Sequence, residues 1–359
     1  MKKRINRLIR SVKKLSLDAL LIGAPDNIEY LTGFQAPGGY LLVTPGKIIY
    51  FTHYVYFEQA KKNPLWEVIL AQTDMFSAIA KKARASGIRR LGFEAKRLTF
   101  LEYKKIKEEI TSRNIGFLKT DDVVERLREV KTPDELRCIR RAVQITEEAL
   151  GYARELMDSA HYSEKTLALE IERFMKLKGD TRTAFDPIVA SGAHAAYPHA
   201  QSGPDKVFSR KLVLIDLGAR CCGYCADLTR VFFLGKMPNY HIKKIYNIVK
   251  AAQEKAISKI RAGVRACDID SAARNYIEKK GLGKSFGHGL GHGVGLCVHE
   301  LPYLSPHARG VLRENMVVTV EPAVYLPGKL GIRLESMVLV KNKGAEVIDG
   351  NFYWKYKTR

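Results

Sequence analysis

The chain has 359 residues, 46% hydrophobic and 27% charged, enough apolar material for two ordinary globular cores. It contains no run of about 18 apolar residues, which excludes a conventional membrane-spanning helix. The net charge of +22 raises nucleic-acid binding, but the basic residues are dispersed and alternate with acids, as in Lys104-Lys105-Ile106-Lys107-Glu108-Glu109, and no zinc-finger or RNA-binding signature appears, so specific nucleic-acid binding is not expected.

The opening MKKRINRLIRSVKK is basic like a signal peptide, but Lys13 and Lys14 interrupt the apolar core that should follow. It reads as an amphipathic helix of a cytoplasmic protein. Residues 2–15, 75–85 and 102–110 read as helices, and 17–22, 40–44, 47–51 and 90–93 as strands, with a turn at Pro45-Gly46. This alternation predicts an α/β domain. The character changes over residues 120–131. Thr132-Pro133-Asp134-Glu135 then starts a helix, with a capping hydroxyl, proline at the first helical position and acids in the first turn. Leu136, Ile139, Ala142, Val143, Ile145 and Leu150 continue it at helical spacing, and a second amphipathic helix covers 163–177. We place the domain boundary at 128, giving domains 1–128 and 129–359.

Beyond residue 184 the chain becomes rich in strands and glycine. Strands are predicted at 212–219 and 224–234 around Gly223, helices at 240–261 and 267–279, a Gly/His loop at 287–295, and strands at 316–325 and 331–340. Short connections of this kind predict an α+β domain. Cysteines at 138, 221, 222, 225, 267 and 297 read as free thiols, since the single C-x-x-C at 222–225 has no second pair to make a zinc knuckle.

Acids interrupt four of the apolar runs. Asp216 lies inside LVLIDLGA, and Asp227 lies in YCADLTR across the Gly223 turn. Glu321 interrupts MVVTVEPAVY and Glu335 interrupts GIRLESMVLV, on either side of Pro327-Gly328. A carboxylate in a buried strand is costly unless it is paired or binds a cation. One such acid reads as a buried ion pair or a cap. Four of them, with His292 in GHGLGHGVG, suit two divalent ions. That loop has the glycines of a phosphate cradle but no following G-K-[ST], and its glycines are expected to let the backbone approach a substrate.

In order and spacing, Asp216, Asp227, His292, Glu321 and Glu335 resemble the ligand series of the pita-bread metallopeptidases, within them the Xaa-Pro aminopeptidases and prolidases. The strings FDPIVASGAHAAYPHA, DLGA, GYCADLTR, FGHGLGHGVGLCVHELP, TVEPAVY and GIRLES carry the resemblance over about 130–340, and Asn27-Ile28-Glu29-Tyr30-Leu31-Thr32-Gly33-Phe34 carries it more weakly before that. The resemblance implies a creatinase-like α/β N-terminal domain followed by an α+β pita-bread catalytic domain. It implies two divalent metal ions per chain, manganese first, with cobalt, iron or zinc as alternatives. Asp216 would bind one, Asp227 and Glu335 would bridge both, and His292 and Glu321 would bind the other. Glu321 would also relay protons, His199 would face the substrate carbonyl, His288 and His299 would be further active-site histidines, and Arg333 would support the carboxylates or the substrate end.

The implied reaction is attack by a metal-bridging hydroxide on the carbonyl before proline in proline-containing peptides, catalysed by a homodimer. Two departures stand out: Ser336 occupies a position where many members carry an acid, and His53-Tyr54 replaces an Asp-x-Arg-Tyr pattern. The alternative is a catalytically inactive pita-bread module that binds a partner protein. Retention of all five ligands favours the enzyme. HELP, GIRLES and the separate N-terminal domain disfavour a methionine aminopeptidase, and creatinase lacks the metal set. Both dipeptidase and aminopeptidase activity stay open.

Overall fold

The computed structural model describes residues 2–35, 38–72, 74–157, 162–207, 212–235 and 239–350. It divides into two compact units, Met1–Arg128 and Glu129–Arg359.

The first unit is built on six strands: β1 (Ala19–Ile22), β2 (Tyr40–Val43), β3 (Ile48–Thr52), β4 (Glu67–Leu70), β5 (Arg90–Glu94) and β6 (Gly116–Thr120). Their order is β4-β3-β2-β1-β5-β6. β1 pairs parallel with β5 and antiparallel with β2, so the sheet is mixed. Pro45-Gly46 closes the β2–β3 hairpin, where Thr44 N donates to Lys47 O at 2.9 Å. Leu21, Leu42, Ile49, Phe51 and Leu91 are buried against Ile79 and Ile106 of the helices Met75–Ala85 and Phe100–Thr111. The two strands that sequence patterning misses, β4 and β6, are the two edges of the sheet. Most of their residues are half-buried or exposed, so they lack the apolar run that marks the central strands.

In the second unit, helix Pro133–Met157 starts where the sequence places it. Thr132 N donates to Glu135 Oε2 (2.6 Å) and Glu135 N donates to Thr132 Oγ1 (3.4 Å), a reciprocal cap. Helix Glu164–Lys178 is capped by Ser163. The strands that follow are β7 (Ile188–Ser191), β8 (Leu212–Leu217), β9 (Arg220–Cys221), β10 (Tyr224–Cys225), β11 (Leu228–Phe233), β12 (Gly291–Gly293), β13 (Glu300–Leu304), β14 (Val317–Val320), β15 (Ala323–Leu326), β16 (Leu330–Arg333), β17 (Ser336–Lys341) and β18 (Gly344–Val347). They form sheets ordered β11-β8-β7 and β13-β12-β14-β17-β18 and the hairpins β9–β10 and β15–β16. Every one of these pairings is antiparallel. Helices Tyr240–Ile257 and Ala266–Lys279 cover the sheets, burying Val249, Ala252, Ala256, Ile269 and Ala273 against Val318, Val338 and Ile332.

Three of the predicted strands are each broken in two. The run 224–234 breaks at Ala226-Asp227, the run 316–325 at Glu321-Pro322, and the run 331–340 at Leu334-Glu335. At each break the chain leaves one sheet for another, and a candidate ligand sits at the crossing. Of the four acids Asp216 alone lies within a strand, β8, opposite Thr229, and His292 lies within β12. All six cysteines are free thiols. No described helix is long and apolar enough to cross a membrane.

Candidate active site

All nine candidate residues, His199, Asp216, Asp227, His288, His292, His299, Glu321, Arg333 and Glu335, line one cavity of about 780 Å³ within the second unit. Phe185, Ile188, Pro198, Tyr303 and Tyr325 add apolar wall.

Ligand atoms of Asp216, Asp227 and Glu335 lie within 4.8 Å of one another, and so do those of His292, Glu321 and Glu335. Glu335 belongs to both groups. A third group of the same size joins Asp227 and His292 to His299, which the sequence reading had not counted as a ligand. His292 Nε2 stands 3.2 Å from Glu321 Oε1 and 3.6 Å from Asp227 Oδ2. Its Nδ1 lies 3.1 Å from Gly293 O. A carbonyl can only accept, so Nδ1 donates to it, and Nε2 is the ring nitrogen turned toward the carboxylates.

Four carboxylates share this space with one guanidinium. Burial, then the charges of Glu335, Asp216 and Glu321, pushes Asp227 well above the usual carboxylate range. Burial, then Glu321 and Asp216, does the same to Glu335, and burial also raises Asp216 against the pull of Arg333. Glu321 goes the other way: burial raises it, but the hydrogen bond from His292 and the charges of His292, His288 and Arg333 outweigh that. Burial lowers both His288 and His299.

Asp216 Oδ1 and Glu335 Oε1 are buried and meet no hydrogen-bond donor among the described residues. Buried carboxylate oxygens without donors are strongly disfavoured, and a divalent cation between them supplies the missing partner and reverses the mutual repulsion. The donor set therefore fits hard divalent ions: four carboxylates and His292, with His299 within reach and no thiolate among the described residues.

Residues that the sequence reading passed over hold these ligands in place. Thr229 Oγ1 donates to Glu335 Oε2 at 2.7 Å and accepts from Arg333 Nε at 3.0 Å. Arg333 also donates to Tyr325 OH (2.6 Å), to Pro198 O (3.1 Å) and to Asp216. Arg230 is paired with Asp349 and donates to the backbone carbonyl of Glu335. Asp270 and Arg274 clamp the Gly/His loop, with Arg274 donating to Phe286 O and His288 O while Asp270 accepts from Leu290 N. The one sequence signal for this clamp was the i,i+4 acid–base spacing of Asp270 and Arg274 on their helix. Of the loop glycines, Gly287, Gly289 and Gly291 line the cavity, and Gly291 and Gly293 also meet a second demand. A Cβ on Gly291 would come within 2.1 Å of Thr319 O, and one on Gly293 within 2.2 Å of Leu301 O, so these two admit neighbouring strands of the chain itself.

Comparison with known proteins gives concordant results. Residues 137–342 match metallopeptidase family M24, and residues 4–130 match the Creatinase/Prolidase N-terminal domain. A Xaa-Pro dipeptidase of Pyrococcus horikoshii is 36% identical over 350 residues, covering 96% of both chains. The structure of a Xaa-Pro dipeptidase from Bacillus anthracis superimposes with a TM-score of 0.91 at 34% identity, covering 99% of this chain and 98% of that one. An X-Pro aminopeptidase from Thermotoga maritima gives 0.84 at 35% identity, covering 95% of this chain and 97% of that one.

Proposed function

This chain belongs to metallopeptidase family M24 and is an Xaa-Pro metallopeptidase with a creatinase-type N-terminal domain and a pita-bread catalytic domain; from that premise we propose that it hydrolyses the peptide bond before proline using two divalent cations. Asp216, Asp227 and Glu335 would hold one cation and His292, Glu321 and Glu335 the other, with Asp227 also within ligand distance of His292 and His299. Manganese is the metal we assign, because oxygen-rich ligation with one imidazole suits it. When bound, the two ions supply a hydroxide near neutral pH and Lewis-acid polarisation of the carbonyl.

The chain's own residues do the rest. Phe185, Ile188, Pro198 and Tyr303 give the pyrrolidine ring an apolar wall. His199, on the same cavity, donates to the oxygen of the carbonyl under attack and stabilises the charge that develops there. Glu321 takes up the proton released on attack and delivers it to the imide nitrogen, a poor leaving group unless protonated. Arg333, anchored by Thr229, Tyr325 and Pro198, fixes the carboxylate of Asp216.

The observation that carries this reading is the pair of buried, donorless oxygens on Asp216, in one ligand group, and on Glu335, shared by both. It also favours an enzyme over an inactive binding module, which has no need to preserve such a cluster. The test is hydrolysis of Ala-Pro and Ala-Pro-Ala-Ala by chelated and by manganese-loaded protein. Metal-dependent release of alanine is expected, and the substrate preferred distinguishes dipeptidase from aminopeptidase. Equal turnover by the chelated protein would overturn the proposal. We further propose that the working form is a homodimer, to be checked by sedimentation.

A further inference from the structure

Glu164 opens the helix Glu164–Lys178 and is fully buried, yet it belongs to neither ligand group. Its Oε1 accepts from Ser191 N at 2.7 Å and from Ser191 Oγ at 2.6 Å. Its Oε2 accepts from Gly203 N at 3.0 Å and lies 2.7 Å from His194 Nδ1. These donors come from the beginning, the interior and the end of one segment, residues 191–203. That segment carries Pro198 and His199 to the cavity wall.

The opposite side of the segment is held as well. Arg333 Nη1 donates to Pro198 O, and Gly331 lies so close that a Cβ there would come 1.7 Å from Ala195 O. The strap is thus clamped between the metal-side arginine and one buried carboxylate. A purely structural role would be met by backbone pairing alone, and that pairing exists: Glu164 N donates to Asp205 O, Lys165 N to Gly203 O and Val207 N to Tyr162 O. What the carboxylate adds is a tie from the far end, Ser191, and from His194, which closes the strap into a loop of fixed shape.

We infer that Glu164, with His194, is a positioning residue that sets where His199 stands over the reacting carbonyl. The inference rests on the reading that His199 acts on that carbonyl. A misplacement of about 1 Å can cost on the order of a hundredfold in rate, so a positioning group remote from the chemistry should register in kcat. Glu164→Gln keeps the shape but turns an amide N–H₂ toward groups that are themselves donors.

The experiment measures kcat, KM and metal content of the manganese-loaded full chain on Ala-Pro. It compares wild type, Glu164→Gln, His194→Ala, His199→Ala, and each of the first two combined with His199→Ala. Glu164→Gln should lower kcat by roughly tenfold to a hundredfold, with KM changed less and metal content intact, and His194→Ala should act in the same direction more weakly. In the His199→Ala background neither change should lower kcat by more than about twofold, since residues acting through one group are non-additive. Losses that multiply in the double variants, loss of metal, or unchanged kcat in both single variants would overturn the inference. Unchanged kcat in His199→Ala would remove the underlying reading and the inference with it. If Glu164→Gln does not fold, the His194→Ala cycle decides by the same criterion.

Discussion

Two corners of the molecule bury acids in or beside strands, and they treat them oppositely. In the N-terminal unit, Glu94 at the end of β5 accepts from Gly23 N (2.8 Å), Ala24 N (2.9 Å) and Asn27 Nδ2 (2.6 Å). In the catalytic unit, Asp216 Oδ1 and Glu335 Oε1 meet no donor among the described residues. Glu94 and Asp216 are both 8% exposed, so depth of burial does not separate them. The supply of donors does. A carboxylate ringed by N–H groups is satisfied by the protein itself, whereas a buried carboxylate oxygen that meets no donor suits a cation.

The sharpest way to break this comparison is to neutralise acids on each side of it. Asp227→Asn and Glu335→Gln should each lower turnover by on the order of a thousandfold or more, with loss of bound metal, as for removal of a principal catalytic group. Glu94→Gln should keep metal content and turnover near wild type. Elemental analysis beside kcat measures both, and normal metal content in Glu335→Gln would show that its bare oxygen has another purpose.

A smaller effect should come from the residue that orients Glu335. Thr229→Val removes the hydroxyl between Glu335 and Arg333 while preserving volume. Loss of such an orienting contact should weaken metal affinity by about 10–100-fold. Titration of the chelated protein with manganese reads this directly, and unaltered affinity would mean that Glu335 needs no such support.

The smallest effect concerns pH at Glu94. Burial pushes its carboxyl up to about 7 from 4.5, although the Asn27, Ala24 and Gly23 donors pull the other way. A folded-state value above the unfolded one means that the folded protein holds the proton more tightly. The stabilisation is therefore complete below 4.5 and is lost as pH rises toward about 7, by at most about 3 kcal/mol. Wild type minus Glu94→Gln melting temperature should accordingly fall across that window. A difference independent of pH would show that the three donors cancel the burial.

Much of this architecture could be read from the residues, and the failures have a common cause. Central strands and the start of helix Pro133–Met157 announce themselves through apolar runs and through Thr132-Pro133. Edge strands β4 and β6 do not, since most of their residues are half-buried or exposed. Glu94 in RLGFE and Asp216 in LVLIDLGA look alike in sequence, each an acid against an apolar run. Only family strings such as DLGA distinguish the second, because the donors that satisfy Glu94 come from residues 23–27, far away in the chain. Thr229, Arg230 and Glu164 were illegible for the same reason: their roles are defined by partners that only the fold brings near.

Three of the four carboxylates sit where the chain crosses from one sheet to another. Such crossings do not exist in any hairpin or isolated sheet, and between Asp227 and Glu321 the chain must first lay down the helices Tyr240–Ile257 and Ala266–Lys279. The four acids therefore converge only where these sheets and hairpins meet, held together there against their repulsion. Cation affinity should consequently be a property of the completed unit that no excised fragment retains.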